Sequence, residues 1–141
     1  MESSVTLVSG MHFEASAGGH TFPIDAHKEH GGEDLGPPPK VLMLTALSGC
    51  ASMDIISILR KMRAEPDSLK VSSKADLTKD HPKVFENLVV TVEVTGEVPV
   101  KKLWKAVALS RDRYCGVAAM LRASSPIRYQ VFLNGEEIPE E

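Results

Sequence analysis

The chain has 141 residues, 43% of them hydrophobic and 25% charged. That length supports one domain with a core and is short for two. Its 16 basic and 19 acidic residues leave a net charge of −3, so nothing pulls it toward nucleic acid or anionic lipid, and no basic tract or aromatic platform does so locally.

The opening residues, MESSVTLVSGMHFE, lack a basic stretch followed by an apolar core, so no secretory signal is expected. From residue 3 to 25, Val5, Leu7, Val8, Phe13, Phe22 and Ile24 alternate in places, punctuated by Gly10 and Gly18–Gly19. This predicts short antiparallel strands with tight turns. Residues 26–39, AHKEHGGEDLGPPP, read as a solvated loop ending in a stiff, extended lead-in. His27, Glu29, His30, Glu33 and Asp34 are residue types that metals use, but no recognisable ligand spacing joins them, so no metal is expected.

A helix is expected over Lys40–Arg63, with apolar residues around most of its circumference and therefore a central position. It is the chain's one membrane candidate. However, Thr45, Ser48, Ser52, Asp54 and Ser57 interrupt it, and a central Asp costs roughly 2.5–3.5 kcal/mol in a bilayer. No membrane association is expected. Strands follow at Leu69–Leu77 and Val84–Val94, the second with Val90, Val92 and Val94 on one face. Pro99 opens an amphipathic helix with Val100, Leu103, Trp104 and Val107 on its stripe. Trp104 and Tyr114 read as core or interface anchors. A short third helix begins at Cys115, and Ile127–Leu133 is a final strand before an Asn134–Gly135 turn. Strands, helix, strands, helices and strand in that order make the chain α+β.

The two cysteines, Cys50 and Cys115, do not make a disulfide framework, and in a cytoplasmic chain thiols stay mostly reduced. Cys50 is flanked by Ser48, Gly49, Ala51 and Ser52, which leave room for close approach. Cys115 opens a helix, a position where the dipole favours a thiolate. Either pair chemistry or two buried structural thiols fits these placements.

The segment GGEDLGPPPKVLMLTALSGCASMDIISILRKM resembles the core of the OsmC/Ohr proteins, the osmotically inducible and organic hydroperoxide resistance family. Gly36, Pro39, Leu42, Gly49, Cys50 and Asp54 carry the likeness, and RDRYCGVAAMLRASSPIRYQVFLNGEEI is similar to the family's second-cysteine segment and last strand. The strands of HFEASAGGHTFPIDA extend the likeness to most of the chain, as a single domain over 1–141. The resemblance implies an intertwined homodimer with antiparallel sheets wrapped around central cysteine-bearing helices. A second subunit would then cover the greasy helix. It also implies a thiol-dependent peroxidase without cofactor or metal. Cys50 would attack a small hydrophobic hydroperoxide, Cys115 would resolve, and an external dithiol would reduce the pair.

The sequence departs from that family at the thiolate's supports. There is no Arg before Arg60, and Lys40 stands where the peroxidases place a Glu. Lys40, Arg113 or a His of a partner chain are the candidate replacements, and Asp54 lies one helical turn beyond Cys50. The missing pair leaves a second expectation open: a non-enzymatic, ligand-binding or redox-sensing member of the same fold.

Overall fold

The computed structural model describes residues 1–140. Two compact units divide the chain, the first ending at Met43 and the second starting at Leu44.

The first unit is a three-stranded antiparallel sheet, β1 (Ser3–Ser9), β2 (His12–Ala17) and β3 (His20–Ile24), in that order. Gly18 and Gly19 both take positive φ in the β2–β3 turn, where a side chain would be strained. The side chains of β1 are exposed along its whole length, Val5, Leu7 and Val8 included. After β3 the chain wraps around Asp25, which is only 1% exposed. Its carboxylate accepts hydrogen bonds from the backbone N–H groups of Ala26 (2.7 Å), Glu33 (3.0 Å) and Leu35 (3.2 Å). Burial alone would raise this carboxyl, but the three donors outweigh it and hold it below the ordinary carboxylate value. Residues 26–35 are the largely exposed loop expected from the sequence, organised around the buried charge that precedes them. Within them, Lys28–His30 make a turn of 3-10 helix and His27 Nδ1 lies 2.7 Å from Asp34 Oδ1.

Helix α1 (Pro39–Lys61) starts in the first unit and runs into the second. Arg60 and Lys61 in its last turn complement the negative end of its dipole. The second unit continues with β4 (Ser68–Leu77), β5 (Phe85–Thr95), α2 (Val100–Leu109), a π-helical turn at Ser110–Tyr114, α3 (Gly116–Arg122), β6 (Ile127–Leu133) and β7 (Glu136–Glu137). These strands form one sheet in the order β4-β5-β6-β7.

The sheet corrects one expectation. β4 pairs antiparallel with β5, but β6 runs parallel to β5, so the sheet is mixed rather than antiparallel. The reason is the connection: two parallel strands need a crossover, and α2, the π turn and α3 supply it.

The core of this unit is built from four faces. On α1, Leu47, Ala51, Ile55 and Leu59 recur every fourth residue and are fully buried. Against them lie Val90, Val92 and Val94 of β5, Leu103, Ala106 and Val107 of α2, and Val131 of β6. Val100, expected on the buried stripe of α2, is the helix's first residue and is exposed. Within one chain α1 is buried on a single stripe rather than all round: Met43 and Met53 are exposed at 46% and 74%. By length and composition alone α1 could cross a membrane, but its buried stripe is the spine of this core.

Candidate functional site

Cys50 sits on α1 one turn before Asp54, so both side chains leave the same helix face. The third member arrives from the crossover. The π turn ends at Tyr114, and Cys115 stands at the N-cap of α3 with extended backbone, φ −71° and ψ 97°. One sulfur from each cysteine and one carboxylate oxygen of Asp54 all lie within 4.8 Å of one another. Residues 65 positions apart in sequence thus meet because α1 and the crossover share one buried core with the sheet.

Two hydrogen bonds fix this arrangement. Ser110, fully buried at the start of the π turn, donates its Oγ–H to Asp54 Oδ2 at 3.1 Å. The Cys115 N–H donates to the Ser110 carbonyl at 2.9 Å, so Asp54 and Cys115 are held by the same residue. A π turn is a frequent device for aiming a side chain inward at a functional site. On the other side of α1, the Ser48 and Ser73 hydroxyls lie 2.7 Å apart and tie the helix to β4. The small residues beside the thiols leave space: an added Cβ on Gly49 or on Gly116 meets nothing within 4 Å.

The two sulfurs differ in environment. Cys50 is partly buried, whereas Cys115 is 3% exposed. Burial pushes the Cys115 thiol up to about 11, with Cys50 adding to the effect. The Ala118 N–H donates to Cys115 Sγ at 3.3 Å and favours the thiolate. The helix start favours a thiolate at Cys115, but desolvation is the larger effect, and one backbone donor does not compensate for it. Asp54 also raises the thiol, as a like charge does.

Among the described residues, Asp54 has no Lys, Arg or His ion-pair partner. Arg113 is exposed, with its guanidinium 5.5 Å from the centre of the Tyr114 ring. Lys40 is exposed in the first turn of α1, within the first unit.

Sequence reasoning missed two members of the site's surroundings. Ser110 is one serine among many, and nothing in its neighbours marks it as the residue that holds Asp54. Tyr129 stands on the inward-facing register of β6, with a buried hydroxyl that has no hydrogen-bond partner among the described residues. Burial first, then the Cys115 sulfur, pushes its hydroxyl up to about 12. Its inward position was legible from the alternation of β6, but its closeness to Cys115 was not.

The comparisons with known proteins agree with this architecture. The family model described as "OsmC-like protein" matches residues 31–130. Protein YhfA of Escherichia coli strain K12 is 30% identical over 131 residues, covering 92% of this chain and 95% of that protein. The crystal structure of a hypothetical protein from Aquifex aeolicus superposes with a TM-score of 0.84 at 29% identity, over 96% of this chain and 97% of that one. An organic hydroperoxide resistance protein OsmC from Legionella pneumophila shares the fold at a TM-score of 0.73 and 15% identity, over 93% of this chain and 95% of that one. The chain belongs to the OsmC-like protein family.

Proposed function

We propose that this protein reduces organic hydroperoxides with a pair of thiols, Cys50 attacking and Cys115 resolving. The observation that carries the reading is the convergence of the two sulfurs within 4.8 Å from separate elements. The names of two structural neighbours, organic hydroperoxide resistance proteins from Legionella pneumophila and Elizabethkingia anophelis, support the substrate class.

The division of labour follows from burial. Cys50 is the more accessible of the two sulfurs and so is the one a substrate meets first, whereas the buried Cys115 is placed to meet Cys50 rather than the substrate. In the first step the Cys50 sulfur attacks the terminal oxygen of the hydroperoxide. The O–O bond breaks, the alcohol leaves with a proton, and Cys50 becomes a sulfenic acid. Cys115 then attacks the Cys50 sulfur, its own proton leaves with the displaced hydroxide as water, and a disulfide forms. An external dithiol reduces the disulfide and restores both thiols. Asp54, held by Ser110, is a supporting residue in this scheme; Lys40 and Arg113 are candidates for the charge that the family's peroxidases supply with an Arg–Glu pair.

The assembly we propose is a homodimer, with both units of each chain forming one OsmC-like domain in the cytoplasm. The exposed apolar side chains of α1 support it, since one chain leaves Met53 at 74% exposure. A second reading, a ligand-binding or redox-sensing protein, is favoured by the carboxylate beside both sulfurs and by the high value of Cys115. A dithiol-coupled assay of organic hydroperoxide consumption separates the two. Fast, saturable turnover abolished by Cys50→Ser supports the peroxidase; turnover unchanged by Cys50→Ser, or absent from the wild type, refutes it.

A further inference from the structure

The site gathers two sulfurs and a carboxylate, yet Asp54 has no cationic partner among the described residues. Such a set is poorly suited to holding negative charge by itself and well suited to holding a metal ion. Zinc takes thiolate sulfur at about 2.3 Å and carboxylate oxygen at about 2.0–2.2 Å, so tetrahedral ligands stand about 3.6–3.8 Å apart. The three donor atoms are already within 4.8 Å of one another, so no pair has to close by more than about 1.2 Å to meet that geometry. Two further features are those of a built site. The carboxylate is oriented by a buried hydroxyl, Ser110 Oγ at 3.1 Å, which leaves its other lone pairs for a ligand. The donors also come from separate elements, Cys50 and Asp54 from α1 and Cys115 from the N-cap of α3, so the tertiary structure and not one local turn gathers them.

We propose that Cys50, Cys115 and Asp54 bind one thiophilic divalent cation of the Zn2+ class in the reduced protein. Binding displaces the two thiol protons to solvent: two thiols, one carboxylate and one divalent cation become a bis-thiolate carboxylate complex and two protons. The same two sulfurs would form the disulfide of the proposed peroxidase, so the cation and the disulfide exclude each other. Metal binding itself needs no peroxide turnover and goes beyond that reading.

The test uses reduced, full-length protein without oxygen, titrated with Co2+ as a spectroscopic stand-in for Zn2+. The expected result is one Co2+ per chain, with a thiolate-to-cobalt charge-transfer band and the intense visible bands of a tetrahedral ion, all abolished by added Zn2+. Asp54→Asn should weaken Co2+ binding at least about tenfold, the loss that removing even an outer partner of a metal site produces. A second measurement needs no variant: Zn2+ should protect Cys50, the more accessible of the two thiols, from alkylation in the wild type, read by mass spectrometry. The proposal is overturned by absence of the charge-transfer band, by unchanged affinity in Asp54→Asn, or by a Cys50 that Zn2+ leaves unprotected. A protein that turns over hydroperoxide but binds no Co2+ refutes the metal site alone. One that binds Co2+ without turnover refutes the peroxidase alone.

Discussion

Mutating Cys50 to serine leaves Cys115 as the chain's single thiol, and its reactivity then reports the environment directly. In the native protein Cys115 is raised from an ordinary 9.0 to about 11, chiefly because it is buried. A thiol at about 11 carries roughly one hundredth as much thiolate at pH 7.5 as one at 9.0, because each pH unit is a factor of ten. Alkylation needs the thiolate. Folded Cys50→Ser protein should therefore react with iodoacetamide more slowly than the same protein in denaturant, by up to about a hundredfold less the part that Cys50 supplies, and the rate should still be climbing at pH 10. The Cys50 contribution disappears in this variant, but the burial contribution remains, so the midpoint stays above the ordinary value. The assay is a series of quenched alkylations from pH 6 to 11, read by mass. A midpoint at or below 9.0, or folded and denatured rates within about threefold at pH 7.5, would refute burial as the controlling term. The linkage to stability has a definite sign. Folding favours the neutral thiol, so the Cys115 contribution is fully present below its unfolded value and is lost as pH rises toward 11.

Asp25 behaves in the opposite direction. Its three backbone donors hold it low, so its contribution is present above the ordinary carboxylate value and is lost as pH falls through the folded one. Amide exchange at Glu33 and Leu35 should accelerate in that acid window, and unchanged protection there would count against the bonds described. Ile55→Ala empties a fully buried position on α1 and should cost about 2–5 kcal/mol in denaturant unfolding; a loss under about 1 kcal/mol would mean the stripe is not core. Gly36→Ala should lower the melting temperature, because its Cβ would meet the Pro23 carbonyl, which is backbone and cannot swing aside. Sedimentation should give a dimer, and Met53→Glu, which buries charge in the proposed interface, should shift it toward monomer; a wild-type monomer would refute the proposed assembly.

The linear pattern determined much of this molecule. The long apolar run with a basic end made α1 legible. The strict alternation of Val90, Val92 and Val94 made β5 legible, because side chains on a strand reverse with every residue. The likeness of the two cysteine segments to one family carried the fold class. Other features were decided only by the tertiary structure. Whether β6 runs parallel or antiparallel to β5 depends on how the crossover returns, which local periodicity does not encode. The value of Cys115 turned on burial against the sheet and helices: the sequence places it at a helix start, which favours a thiolate, and packing then withdraws the solvent that a thiolate needs. Ser110 and Tyr129 are ordinary residues until packing sets one against Asp54 and the other near Cys115. Chemistry at this site depends on distances between residues far apart in the chain, and those distances exist only once the core has closed around α1.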